Sequence, residues 1–581
     1  MFLVLTGLEI NLLKEQKYEL LGEWIKEYKP KNFWIKNKVK TFKNPWNNKE
    51  KLLSDHTYLE IVHKNLLNDL SSYLNKINQV NHSKRYWQTL LDPWLLSYIA
   101  VIYDRWQTLD TILKKNYKVL SPENGFKHKR PKITDYAIDK LFQEDEWNHN
   151  LFLEIINYKF KEKVSIIKDK RFKSKRQRIS NFKKRFYYKN TLKSSINFFS
   201  LILCKLNLSP DIFIGTSYLN KKDKFLFKIN LKQNPFFDLH FHYSDKNFSF
   251  DENYKNYKEI NSSEQLNEFE KFLYNRIKKD LPLELIDDYK FWSRNSFSSY
   301  IPKVILSDNL HIQNAKFKHW LANCLEKGSK ILLTAHGGSI CHDNYMNFPE
   351  EISDRYFSWK KPSHSKHKQL PPLNYTDLKI NKISKGEFIS LIGVDFPIYI
   401  FRCQRAGSGS EVYKHHKQFL VLYKYLNKDL KKIFKFKPYV NSFRGLLKEY
   451  EKEFGKKSIE KNIDYKEFIK NSKLVIASYP QTTFSDCIMR NKPTILLYPS
   501  NVWIITDDML EVRDKLIGAK VLFNDAQKAA SHINRISEDI SKWWDSQKVR
   551  EAIEFFHENA LLKNKNWEIC WINAIKEEIN K

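Results

Sequence analysis

Glycine is scarce in this chain of 581 residues. There are 14 in all, and half of them lie between Gly328 and Gly409. Glycine serves backbone conformations and close approaches that a side chain forbids, so its concentration marks that stretch as the working region. Cysteine is scarce too. The six, at 204, 324, 341, 403, 487 and 570, form no CxxC and no paired spacing. That argues against a zinc site or a disulfide framework and for a reducing cytoplasm. No apolar run approaches the ~20 residues of a spanning helix. The opening MFLVLTGLEINLLKEQ lacks the basic flank and cleavage site of a signal peptide and reads as a first buried strand. Metal motifs of the HExxH or DxD kind are missing, as is a Walker loop, so neither metal nor other cofactor is expected.

Acidic residues are the minority charge, 67 against 100 basic ones, for a net charge of +33. Such a surface attracts anions: nucleotides, glycolipids, a membrane surface or nucleic acid. The last is the least favoured, because no RRM, KH or helix-turn-helix signature is present and the charge is spread along the chain. With 42% hydrophobic and 15% aromatic residues the chain can bury large cores, and its length calls for two or more domains.

A long aromatic-rich region after the first strand carries apolar residues at spacings of three and four, the period of packed helices. Residues 159–193 then bring fifteen Lys/Arg against two acids, read as a solvated insertion or as a contact for an anionic membrane. From about 210 the pattern alternates. PDIFIGTSYL, PKVILSD and SKILLTA read as strands, with AKFKHWLANCLEKG as an amphipathic helix between the last two. Strand, helix, strand at this spacing builds a parallel sheet. A Pro-, His- and Lys-rich stretch at 360–384 reads as a linker. A second alternating series follows: strands FISLIGVD, FKFKPYV, KLVIASY and PTILLYP with helices between. The expected fold is α/β, two parallel-sheet domains facing a cleft, with a helical tail at the end.

Ligands of open parallel sheets bind beyond the carboxyl ends of the strands. The run ILLTAHGGSICHDNY places His336 there, followed by Gly337, Gly338 and Ser339. An imidazole titrates near neutrality and suits a general base, while the glycines let a substrate or the other domain approach the main chain; the alternative is a structural histidine in a tight turn. In KLVIASYPQTTFSDCIMRN a strand ends near Tyr479 and a helix opens at Thr482 and Thr483. Free N–H groups and the positive dipole end favour a phosphate there; ordinary threonine capping is the alternative. Gly407-Ser408-Gly409, with Arg402 and Arg405 beside it, has the composition of a phosphate-binding nest. Lys437 stands at a further strand end.

LVIASYPQTTFSDCIMRNKPTILLYP resembles the nucleotide-binding segment of CDP-glycerol glycerophosphotransferase-like enzymes and other GT-B transferases, including CMP-Kdo-type glycosyltransferases. HGG resembles the histidine-glycine motif of their acceptor-side domain. A larger set resembles a bacterial family of surface-carbohydrate transferases: Gly22-Glu23-Trp24, Tyr86-Trp87, Pro93-Trp94, Asp104-Arg105-Trp106, His336-Gly337-Gly338, Glu351, Ser353-Asp354-Arg355-Tyr356 and Trp359. The chain departs from the pattern at Ile340-Cys341-His342, where such families often carry another glycine.

The resemblance implies a GT-B-like fold of two Rossmann-like domains with a large helical N-terminal elaboration. The acceptor-side domain would cover 1–359, the linker 360–384, the nucleotide-donor domain 385–545 and the tail 546–581. It implies a glycosyltransferase working at the inner face of the membrane, moving sugar from a nucleotide-activated donor, with a CMP-activated acid sugar as first expectation, to a glycan or glycolipid of the cell surface. Thr482, Thr483, Ser408, Gly409 and Lys437 would hold the donor with Tyr479 and Arg402, Arg405 would neutralise the leaving group, and His336 would be the base. Glu351 or Asp354 would orient it, and Gly337, Gly338 and Ser339 would form the acceptor-side loop. A CDP-polyol phosphotransferase and a basic nucleic-acid-binding protein are the alternatives.

Overall fold

The computed structural model describes residues 1–581 except 14–15, 30, 173–189, 217, 243–245, 253–256, 295–296, 298, 339–347, 376–385, 395, 404–411, 440–445 and 501. Its framework is three parallel sheets rather than two. In the first, β1 (Phe2–Val4), β2 (Tyr18–Leu20), β3 (Tyr117–Pro122) and β4 (Val164–Asp169) lie in the order β2-β1-β3-β4. The opening strand is therefore buried in a sheet, as its sequence suggests. Part of the basic 159–193 stretch is the sheet's edge, since β4 pairs with β3 from Val164 opposite Tyr117 to Asp169 opposite Pro122. Residues 173–189 of that stretch lie outside the described residues.

Two long helices, α1 (Lys49–Asn78) and α2 (Lys84–Ile112), join β2 to β3. Asn48 caps the first through Lys51 N–H, and Ser83 caps the second through Tyr86 N–H. The turn between them uses Gln79 in the left-handed region, φ 56°. The middle of α2 is apolar on every side, the pattern of a helix buried all round. Trp87, Trp94 and Tyr98 are fully enclosed. The tryptophans of the aromatic motifs, at 24, 87, 94, 106 and 359, are all buried, so these motifs build cores rather than binding faces.

The second sheet runs β9-β8-β7-β6-β5, with β5 (Ile212–Gly215), β6 (Val304–Ser307), β7 (Lys330–Thr334), β8 (Arg355–Ser358) and β9 (His367–Gln369), all parallel. Helix α3 (Ala315–Glu326) connects β6 to β7. Strands such as VILS and KILLT are near-continuous apolar runs, as strands buried on both faces require. Ile305, Ile331 and Leu333 join a core that includes Trp320 of α3 and the helices of the first unit. Leu306, Leu332 and Phe357 turn the other way, onto Trp571 and Ile575. The 360–384 stretch supplies edge strand β9 and buries Leu370 and Leu373 in the same layer.

The third sheet runs β11-β10-β12-β13-β14, with β10 (Phe388–Ile392), β11 (Phe434–Lys437), β12 (Ser472–Ala477), β13 (Thr494–Leu497) and β14 (Leu522–Phe523). Helix α4 (Val412–Tyr425) follows β10, and α5 (Thr482–Met489) joins β12 to β13. The chain then crosses back, so that the last helix, α6 (Trp567–Asn580), packs on the second sheet. No helix among the described residues is long and apolar enough to cross a membrane.

Candidate active site at the junction of two sheet edges

β5, β6 and β7 are neighbours, and the residues that follow each at its carboxyl end converge. Thr216 and Tyr218 follow β5, Asp308 follows β6 and His336 follows β7. The Thr216 hydroxyl donates to Asp308 Oδ2 at 2.9 Å, and Tyr218 N–H donates to Thr216 Oγ1 at 3.2 Å. The Tyr218 hydroxyl meets both the main-chain carbonyl and ring Nδ1 of His336. A carbonyl only accepts, so the phenol proton goes to it and the phenol oxygen accepts Nδ1–H. That arrangement fixes the tautomer and leaves the lone pair on Nε2.

His336 is exposed, yet enough protein surrounds its ring that burial draws its pKa below the ordinary value, outweighing the nearby Asp308 carboxylate, which raises it. It is therefore neutral at pH 7 and able to accept a proton. Behind it, His311 is fully buried and held neutral, its pKa pushed down to about 3 by burial and by the neighbouring His336. The Tyr218 phenol is pushed up by burial and by Asp308, so it stays protonated and keeps its donor role. Tyr218 and Asp308 escaped the sequence reading. The signal available was positional: each stands just past the end of a strand neighbouring β7.

His336 is followed by the two glycines, and both touch α5. A Cβ on Gly337 would collide with Thr482 Oγ1. A Cβ on Gly338 would run into the Trp359 ring and come within 2.9 Å of Ser485 Oγ. The glycines thus admit the third sheet's helix to the main chain of the second sheet's loop, and the carboxyl ends of β7 and β12 meet there. Helix α5 begins at Thr482, and its N-cap, Gln481, makes no side-chain capping bond. Phe484 and Ser485 N–H groups donate to Gln481 O. The first-turn amides of Thr482 and Thr483 have no intrahelical acceptor by geometry and sit at the positive end of the helix dipole. Tyr479 and Thr483 share a hydroxyl contact of 2.8 Å, and the Tyr479 ring stacks on Trp503 at 6.0 Å.

The other expected residues fall elsewhere or lie outside the described set. Asp354 accepts from Ile331 N–H at 2.8 Å and from Arg85 at 2.8 Å, at the start of β7. His336 is five residues further on, about 16 Å at ~3.3 Å per residue. Glu351 accepts from Gln88 at 2.9 Å on the same far edge. Neither is brought to His336. The reason is topological: β7 and β8 are parallel, so the chain must return to the edge where strands begin before entering β8. Lys437 ends β11, but its ammonium is drawn onto Ile463 O and lies over the Phe468 ring; burial lowers its pKa. Arg402 stacks on Phe401 within a loop that leans on the first unit. In that loop Tyr399 donates its hydroxyl to Asp145 at 2.6 Å and its N–H to Gln143 Oε1 at 3.0 Å, and Ile400 O accepts from Arg105 at 2.6 Å. Ser339, Arg405, Ser408 and Gly409 lie outside the described residues.

Among solved structures, the chain is similar to an S. aureus MnaA–UDP co-structure at 14% identity, TM-score 0.33, covering 51% of this chain and 82% of that one. It is similar to the lipopolysaccharide outer core galactosyltransferase WaaB in its apo form at 12% identity, TM-score 0.30, covering 53% and 81%. For the spinosyn rhamnosyltransferase SpnG with spinosyn aglycone the figures are 10%, 0.28, 51% and 77%. No curated protein matches the chain. A family model does: the one described as LIC12162 family transferase matches residues 1–575, and the chain belongs to that family of transferases.

Proposed function

We propose that this transferase moves a sugar from a nucleotide-activated donor to a hydroxyl of a glycan or glycolipid acceptor. One observation carries the reading: the loop bearing His336 sits directly on the uncapped amino end of α5, through Gly337 against Thr482 and Gly338 against Ser485. A proton acceptor and a phosphate-binding helix end therefore share one junction. The donor diphosphate or monophosphate would lie on the Thr482 and Thr483 amides, with Tyr479 beside it. The acceptor hydroxyl would give its proton to His336 Nε2 while its oxygen bonds to the sugar carbon, and the nucleotide phosphate would leave with the bonding electrons. Dipole and N–H groups fixed before reaction stabilise that leaving charge without reorganising. A CMP-activated acid sugar is our first donor candidate, on the strength of the LVIASYPQTTFSDCIMRNKPTILLYP segment. The basic surface suits an anionic membrane that carries the acceptor.

The test is nucleotide release from CMP-, UDP- and GDP-sugars by wild type and His336→Ala, with nucleotide binding measured in parallel. Loss of a general base costs roughly 10²–10⁴-fold in turnover, and binding should be unchanged. Equal turnover in the variant would refute the role.

A further inference from the structure

Surface helices of a globular protein turn apolar side chains inward and polar ones to water. Two helices flanking β5 do much the reverse. In the helix Asn190–Lys205 the buried residues include Asn197 and Ser200, which bond the main chain of a neighbouring segment. Asn197 donates to His240 O at 2.9 Å and accepts His240 N–H at 2.7 Å, and Ser200 donates to Asp238 O at 2.6 Å. Phe198, Phe199, Ile202 and Leu206 are exposed instead, at the spacing of a single helix face. In the helix Lys221–Asn230, Lys228 is buried on Phe237 O and Lys224 pairs with Asp238 at 3.0 Å. Phe227 is its buried aromatic residue, while Phe225, Leu226 and Ile229 are exposed.

Asp238 thus ties the two helices together. Leu208 and Phe236 extend the apolar surface, at 54% and 69% exposure. The Phe236 ring lies 5.8 Å from Phe225, and Asn234 donates to Leu208 O at 3.3 Å. Of the 19 large apolar side chains exposed among the described residues, nine fall between Phe198 and Phe236. Apolar residues exposed singly are ordinary, whereas a group of this size marks a surface that something covers.

The charge around it says what. Residues 190–236 carry seven lysines against two acids, Asp211 and Asp223, and those acids already meet Lys303 and Asn220. Lys205, Lys221, Lys222 and Lys232 are exposed. A second copy of the chain would set lysine against lysine here. A bilayer with anionic headgroups suits both features: apolar side chains enter the acyl boundary and lysine stems reach the phosphates.

We propose that the helices Asn190–Lys205 and Lys221–Asn230 dock on an anionic lipid bilayer. The second helix starts three residues after Tyr218, so a lipid-borne acceptor would arrive beside His336. That link to the acceptor rests on the transfer reading above; the docking itself does not.

The test is cosedimentation of the full chain with vesicles of phosphatidylcholine, alone or with about 30% phosphatidylglycerol, at about physiological salt. Wild type should partition onto the anionic vesicles roughly tenfold or more above the neutral ones. Phe198→Ser/Phe199→Ser and, separately, Leu206→Ser/Phe236→Ser alter only side chains at least 49% exposed. Each should weaken that binding roughly tenfold or more with the unfolding midpoint unchanged. Lys221→Glu/Lys222→Glu, which leaves the apolar residues in place, should weaken it as well. Ile61→Ser/Ile517→Ser, exposed elsewhere, should bind like wild type. So should Thr482→Val, whose effect on nucleotide binding tests the transfer reading separately. The proposal fails if wild type binds no anionic vesicle, if the serine pairs bind like wild type, or if the Ile61/Ile517 pair weakens binding as much as they do. It fails too if wild type is a dimer that the serine pairs convert to monomers, because a second copy then covers the face.

Discussion

The Tyr218 hydroxyl touches His336 twice, at ring Nδ1 and at the main-chain carbonyl, although the two residues are 118 positions apart. This contact ties the ends of β5 and β7 together across β6 and sets which imidazole nitrogen carries the lone pair. Tyr218→Phe removes the phenol oxygen and frees the ring to adopt the other tautomer. Turnover should fall about 10–100-fold, a fraction of the ~10²–10⁴ attributed to a general base, with nucleotide affinity unchanged.

The pH dependence follows from the same cluster. His336 must be unprotonated to act, and its pKa lies below the ordinary histidine value. The acid limb of kcat/KM should therefore lie below pH ~6.5, with no loss from this group above it. Asp308 raises the His336 pKa, so Asp308→Asn should move that limb further down. A limb that moves up in the variant would contradict the assignment.

Gly337→Ala tests the junction itself. The added Cβ collides with Thr482 Oγ1, and overpacking of this kind costs about 1–3 kcal/mol. Thr482→Ala removes the obstructing atom, so the double variant should regain most of the lost stability. A denaturant-midpoint cycle over the four proteins reads the coupling, and additive losses would show that the two residues do not touch.

Arg105 lies at 1% exposure between units. It pairs with Asp104 at 2.8 Å, reaches Asn148 Oδ1 through Nε and Nη2, and donates to Ile400 O in the loop after β10. Removing one partner of a buried pair costs about 3–5 kcal/mol, so Arg105→Ala should lower the midpoint steeply. Arg105→Lys should recover little, because one ammonium cannot replace the guanidinium fork.

A stability titration tests the first sheet. Glu9, fully buried beyond β1, has its pKa raised to about 8, burial outweighing the N–H groups of Thr6 and Leu5 that favour its charge. Its folded pKa exceeds the unfolded one, so the folded state binds the extra proton and stability falls as pH rises towards 8. The limiting slope is about 1.4 kcal/mol per pH unit. Buried His149, pushed down to about 4, acts oppositely below pH ~6.5, and buried Glu284, raised to about 7, acts in the same sense as Glu9 below that value, so the window that isolates Glu9 is pH 7–8. Glu9→Gln should flatten the slope there; an unchanged slope would mean that another group sets it.

Much of this architecture can be read from the chain, for stated reasons. Strands buried on both faces appear as uninterrupted apolar runs, which is why VILS, KILLT, FISLI and TILL stand out. The first sheet is harder to see. β2 has three residues, and β4 is an edge strand whose pattern, VSIIKD, is masked by surrounding lysines. Gly337 and Gly338 were legible as a place of close approach, and the structure identifies what approaches. Thr482 and Thr483 were legible as the opening of a helix because only a short loop, 478–481, separates them from the end of β12. Glu351 and Asp354 look close to His336 in sequence, but a parallel crossover carries them to the opposite edge. Tyr218 and Asp308 reach His336 only through sheet order, which no local pattern encodes.

The most direct measurement of the central claim is a thermal-shift comparison of wild type and Thr482→Val with CMP, CDP, UDP, GDP and ADP. A ligand at 100 times its Kd adds about 2.7 kcal/mol of stability. The account predicts that one nucleotide class, cytidine first, stabilises wild type and that Thr482→Val loses most of the gain. No response to any nucleotide, or an equal response in the variant, would contradict a donor phosphate held at the amino end of α5.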